Sequence, residues 1–291
     1  MTDEPQSLAD LVGAYLAEQC TVIIDGEPKL RAGENVIHVT RVAVRRLRST
    51  IRVFDELFDV AQAGLLEEEL VWWAGLLGAV RDLDILQASL TERIAGLTPD
   101  LVLGPVESTI QTEIATQRKV GMDEVIAAMD SERYRKLVAL VDAWRTDPPF
   151  TDAAAAPAEE VRRYVKRAEK KVNKRLAAAV AARKAAEDGE AADNGDELFH
   201  QARKAGKRHR YAVEATVPLW GSKAEKVVSA RKDLQDVLGH HQDRIVQAAF
   251  LRELGARLGV RSGQNGFTYG VLYAEVVAEG KTMVADLKPF L

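Results

Sequence analysis

Apolar residues recur every three to four positions through most of this chain. The runs LADLVGAYLAEQC (8–20), VIHVTRVAVRRLRSTIRVFDELF (36–58), LLEEELVWWAGLLGAVRDLDILQASL (65–90), YRKLVALVDAW (134–144) and KVVSARKDLQDVLGHHQDRIVQAAFLREL (226–254) each carry one apolar stripe at helical period. Alternation at period two, the mark of a strand, is nearly absent. Proline and glycine collect mostly between these runs, notably in TDPPFTDAAAAPAEE (146–160) and EDGEAADNGDE (187–197), which read as connections. The pattern predicts an all-α protein of two antiparallel helical bundles. The first connection is expected to divide them, into an N-terminal half 1–150 and a C-terminal half 151–291.

A repeat supports that division. His38-x-x-Arg41-x-x-x-Arg45-Arg46-x-Arg48 recurs as His200-x-x-Arg203-x-x-x-Lys207-Arg208-x-Arg210, and LGAVRD (77–82) is followed at a matching distance by LGHHQD (238–243). Duplication accounts for both matches at once. At about 100° per residue, His38, Arg41, Arg45, Arg48 and Arg52 fall within roughly 80° of helical arc. Val44, Leu47, Ile51 and Phe54 project from the opposite side, so one face is expected to pack in a bundle while the cations are held away from it. His200, Arg203, Lys207 and Arg210 repeat the arrangement against Leu198, Ala202 and Val213.

Net charge conceals this pattern. The chain totals −4, yet residues 38–52 carry five arginines and no acid, residues 200–211 carry five bases and no acid, and residues 159–187 carry ten bases against four glutamates. Like charges one helical turn apart repel by a few tenths of a kcal/mol per pair (about 0.2–0.5), and neither repeat has interleaved glutamates to relieve this. A polyanion would offset the repulsion, and planar guanidinium donors grip phosphate oxygens in pairs. Stripes in both halves, together with the lysine-rich helix 159–186, point to a ligand long enough to touch several; a phosphate chain fits. Basic stripes are also commonly solvated faces paired with neighbouring acids, which is the bland alternative.

Other readings carry less. His38 and His200 are expected to hydrogen-bond an anion rather than act as bases, since no carboxylate stands near either in sequence to orient it. Asp82, Asp84 and Asp243 invite a metal, but adjacent His240 and His241 point about 100° apart on a helix; Asp82 and Asp243 are expected instead to orient basic side chains or cap a helix. Trp72, Trp73, Trp144 and Trp220 read as packing residues. There is no P-loop, nucleophile elbow or Rossmann glycine pattern, so no catalytic residue, cofactor or metal is expected and the chain reads as a non-enzyme. Only Tyr164 and Tyr211 lie in or beside the basic stretches, which disfavours nucleic acid. No apolar run approaches a membrane span, the N-terminus lacks a signal-peptide pattern, and the single cysteine, Cys20, suits a reducing compartment. The chain is read as cytoplasmic.

The repeated basic helix with its LGAVRDLD and LGHHQD segments resembles the CHAD domain, the conserved histidine α-helical domain, over roughly residues 8–285. The resemblance implies two pseudo-symmetric four-helix bundles related by internal duplication, and binding of inorganic polyphosphate along a basic surface between the halves, in some members at polyphosphate granules. It implies anion contacts from His38, Arg41, Arg45, Arg46, Arg48 and Arg52, and from His200, Arg203, Lys207, Arg208 and Arg210, extended by Arg163, Lys166, Arg167, Lys170 and Lys174. The second repeat departs by carrying Glu214 where the first has Arg52, so unequal contributions are expected. No E-x-E-x-K signature of a triphosphate-processing partner domain is present.

Overall fold

A computed structural model describes residues 4–188, 195–260, 265–280 and 287–290. The chain is all-α: α1 (Leu8–Arg31), α2 (Ile37–Val53), α3 (Val60–Gly96), α4 (Val106–Met129), α5 (Glu132–Thr146), α6 (Val161–Glu187), α7 (Gly195–Glu214), the single turn α8 (Val217–Trp220), α9 (Ser222–Gly259) and α10 (Phe267–Gly280). Extended pairing among the described residues is limited to two isolated bridges, Ser7 with Pro157 and Phe58 with Phe150.

Helix limits follow local chemistry. Ser7 and Asp10 close a capping box at the start of α1, each side chain accepting a backbone N–H of the other end of the turn. Those hydrogen bonds to Ser7 hold the Asp10 carboxyl below its usual range. The run expected as one helix to residue 58 stops at Val53, where Phe54 donates to the Thr50 carbonyl and a 3-10 turn, Asp55–Leu57, follows.

Two compact units form, residues 1–78 with 123–235, and residues 79–122 with 236–291. They do not coincide with the expected halves 1–150 and 151–291, because each unit draws on both and the cut falls within α3, α4 and α9. The stretch 146–160, expected to separate the halves, is laced into the first unit. Asp59 donates to Pro149 O at 2.8 Å, Thr151 to Leu57 O at 2.8 Å and Leu8 to Ala156 O at 2.9 Å. Its prolines mark irregular backbone, and backbone pairing, which composition does not reveal, holds that backbone in place. Of the second connection, residues 189–194 lie outside the described residues.

The first unit buries the apolar stripes of α1 and α2, with Trp73, Tyr134 and Trp144 among its largest enclosed side chains. Trp73 and Tyr134 rings meet at 4.7 Å and Phe58 and Trp144 at 5.3 Å, tilted as aromatic quadrupoles favour. Of the four tryptophans expected to pack, Trp73 and Trp144 are buried, while Trp72 is partly exposed under the Arg133 guanidinium, 4.3 Å from its ring centre. The second unit packs Leu86, Leu90 and Ile94 of α3 with Ile110 and Ile114 of α4, Leu251, Leu254 and Leu258 of α9, and Leu272 and Val276 of α10.

Candidate anion-binding surface

α2, α6 and α7 all belong to the first unit and pack on one another. Val44, Leu47, Ile51 and Phe54 are buried as their spacing predicts, and so are Ala202 and Val213 of α7. Ser49 and Thr50 are buried too, their hydroxyls donating to the Arg45 and Arg46 carbonyls at 2.8 and 3.0 Å, so α2 turns these polar positions inward at little cost. Ala202, Ala205 and Gly206 are buried on α7, which packs against α2 and α6.

The two repeated stripes meet over Tyr211. This tyrosine is buried, accepts a 2.7 Å hydrogen bond from Arg45 Nε, and lies beneath three guanidiniums: Arg210 at 4.8 Å from the ring centre, Arg46 at 5.7 Å and Arg45 at 5.8 Å. Beside it, Arg41 and Arg45 of α2 and Arg203 and Arg210 of α7 crowd Lys207. Burial first, and then these four cations, push the Lys207 ammonium down to about 6. Arg41 also lies against α3, where a side chain on Gly78 would meet its guanidinium at 3.3 Å.

A second cationic group lies toward α6. Arg52, Arg208, Arg167 and Lys171 line a cavity of about 230 Å³ with Asp55 and Tyr164. Burial, then Arg52 and Arg175, lower the proton affinity of Arg208, and burial, then Arg175 and Arg208, lower that of Lys171. Farther along α6, Lys171, Lys174 and Arg175 line a further cavity of about 370 Å³.

Several expected contacts are already matched by acids. Glu67 of α3 pairs with Arg52 and lies 3.8 Å from Arg48. Glu214 pairs with Arg46 at 2.9 Å and Arg210 at 3.2 Å. Asp55 and Glu56 hold Arg167, and Glu56 holds Arg163 at 3.2 Å. His38 is exposed on α2 and His200 partly buried on α7; Lys166, Lys170 and Lys174 are exposed on α6. Sequence reasoning passed over Lys171 and Arg175, although 167, 171 and 175 fall on one face at i,i+4 spacing. It also passed over Tyr15, Glu67 and the anchoring role of Tyr211, for which no local signal exists.

Asp82, Asp84 and Asp243 belong to the second unit. There Asp84 accepts from Arg118 Nε at 2.7 Å and lies 3.7 Å from Arg81. Among the described residues no group of three or more His, Cys, Asp or Glu side chains is arranged to hold a metal ion, and no described helix is long and apolar enough to cross a membrane.

Comparison with known proteins identifies the family. The family model of the CHAD domain matches residues 14–252. The chain belongs to the CHAD-domain family. Two uncharacterised proteins of Mycobacterium tuberculosis, from strains CDC 1551 and H37Rv, are each 29% identical to it over 272 residues, 93% of this chain. The chain spans half the length of these curated relatives (50%). Among solved structures, the CHAD domain of the plant Ricinus communis is 25% identical with a TM-score of 0.72, covering 98% of this chain and 92% of that one. PptA from Streptomyces chartreusis shares the fold with a TM-score of 0.77 at 21% identity, over 98% of this chain and 99% of that one.

Proposed function

We propose that this CHAD-domain chain binds inorganic polyphosphate without catalysing its turnover, along the surface of α2, α6 and α7. The observation that carries the reading is the crowding of Arg41, Arg45, Arg203 and Arg210 around the partly buried Lys207, from two helices, which together with burial lowers the proton affinity of that ammonium. Holding four arginines around that amine costs free energy that an intercalated polyanion returns. The polymer that the family resemblance implies, with one charge per repeat unit and no bulky substituent, suits a groove whose aromatic residues are covered. Tyr211 and Tyr164 are buried beneath arginines, so neither offers the open ring on which nucleic-acid bases stack. The cytoplasm, and polyphosphate granules within it, are where this reading has the chain meet its ligand.

Titration of the full chain with long-chain polyphosphate at several salt concentrations tests the proposal. Affinity is expected to fall steeply with salt, as counterions released from the polymer are re-engaged, and to collapse in the Arg45→Glu, Lys207→Glu double variant. A flat salt response, or unchanged affinity in that variant, refutes it. Displacement of polyphosphate by a mixed-sequence oligonucleotide at equal phosphate concentration would favour nucleic acid, and phosphate release with magnesium, manganese or calcium would make the chain an enzyme.

A further inference from the structure

In the repeat register Arg46 aligns with Arg208, and Arg52 with Glu214. The two aligned pairs are thus Arg46 with Glu214 and Arg208 with Arg52, and each pair is brought together in the first unit. Their surroundings differ. Between Arg46 and Arg210 sits the Glu214 carboxylate, which accepts from Arg46 Nε on one oxygen at 2.9 Å and lies 3.2 Å from Arg210 Nε through the other. The Tyr15 hydroxyl completes the set, donating to the first oxygen at 3.0 Å. Two guanidiniums and a phenol around two oxygens are the donor set that a phosphoryl group would receive, and Glu214, only 14% exposed in its side chain, already occupies it.

At the aligned place the position of Glu214 is taken by Arg52, and the nearby carboxylates come from elsewhere, Glu67 on Arg52 and Arg48 and Asp55 on the cavity wall. Arg208 and Arg52 share the cavity of about 230 Å³ with Arg167, Lys171 and Asp55, room for about eight waters at roughly 30 Å³ each. Glu67 holds Arg52 from α3, and Asp55 holds Arg167, while burial, then Arg52 and Arg175, lower the proton affinity of Arg208 against the opposing effect of Glu67.

We propose that Glu214 is a built-in anion filling one of two repeat-related phosphoryl subsites, so that a ligand phosphoryl group enters only the other, under Arg52 and Arg208. This rests on the polyphosphate reading above. It makes Glu214 a specificity-determining residue: the carboxylate shortens the cationic track on one side and fixes the polymer's asymmetric path.

The test compares the full-length wild type with Glu214→Gln, Arg52→Glu and, as a control for net charge alone, Glu132→Gln, whose partner is the exposed Lys136. Long-chain polyphosphate is titrated at roughly 50 and 200 mM salt. Freeing one cationic subsite adds about one phosphate contact, so Glu214→Gln should bind more tightly at low salt and lose about threefold more affinity than wild type across that interval. Arg52→Glu should lose about threefold less. If Glu214→Gln matches wild type, or matches Glu132→Gln, the inference is overturned while polyphosphate binding stands. If wild type itself fails to bind, both fall. Should Glu214→Gln not fold, Arg52→Glu decides, since an unaltered salt response there overturns the proposal.

Discussion

Lys207 supplies the sharpest prediction, that polyphosphate binding draws a proton from solution. Arg41 and Arg45 face it from α2 and Arg203 and Arg210 from α7, and with burial they bring its proton affinity down to about 6. At pH 7 that leaves Lys207 roughly 90% neutral, and protonating it costs about 1.4 kcal/mol. An anion beside the ammonium restores its proton, so uptake should approach about 0.9 proton per chain. Because binding raises the proton affinity, this share of the binding energy is complete below pH 6 and is lost as pH rises above it, with affinity falling by about tenfold from pH 7 to pH 8. Isothermal titration at pH 7 in buffers of different ionisation enthalpy measures the uptake directly. His38 and His200 also stand at the surface, so the decisive quantity is the difference between wild type and Lys207→Met, and Lys207→Arg should bind with no uptake from this position. Equal uptake in wild type and Lys207→Met refutes the reasoning.

Two further outcomes are expected. His209 is buried, and desolvation, then Arg231, lowers its proton affinity to about 4; the folded state carries its full penalty below pH 4 and none above about 6.5, so stability should rise by about 3 kcal/mol across that window. Urea unfolding at pH 4 and pH 7 should show that rise in wild type and lose it in His209→Leu, and an identical rise in both would count against the assignment. At the α1–α2 contact a Cβ on Gly26 would stand 2.6 Å from Thr40 Oγ1, so Gly26→Ala should destabilise by about 1–3 kcal/mol. The cost should shrink by about 0.5 kcal/mol or more in a Thr40→Ala background, and additive thermal shifts would show that the close approach is absent.

The division between what is local and what is tertiary runs through the basic stripes themselves. Spacing alone sets Val44, Leu47 and Ile51 on a different side of the helix from Arg41, Arg45, Arg48 and Arg52, roughly 70–130° around from the centre of that stripe, because a helix has a fixed angular step, and the structure buries those apolar residues. The same step could have marked His209, which shares the buried face of α7 with Ala202, Ala205 and Val213. Family and helical class were likewise legible, since both rest on motifs and periodicity within single helices. The ionic state of each cation was not. Glu214 reaches Arg46 across 168 residues of chain, Glu56 reaches Arg167 across 111, and Arg45 finds Tyr211 across 166.

The interleaving of the two compact units has the same cause, since α3, α4 and α9 read as single periodic runs and nothing in their pattern marks where one unit gives way to the next. Sequence determined which side chains face outward together. Packing decided which of those charges meet an acid, which are buried beside one another, and so where an anion has most to offer, because electrostatic energy depends on through-space neighbours and on burial that helical periodicity does not specify.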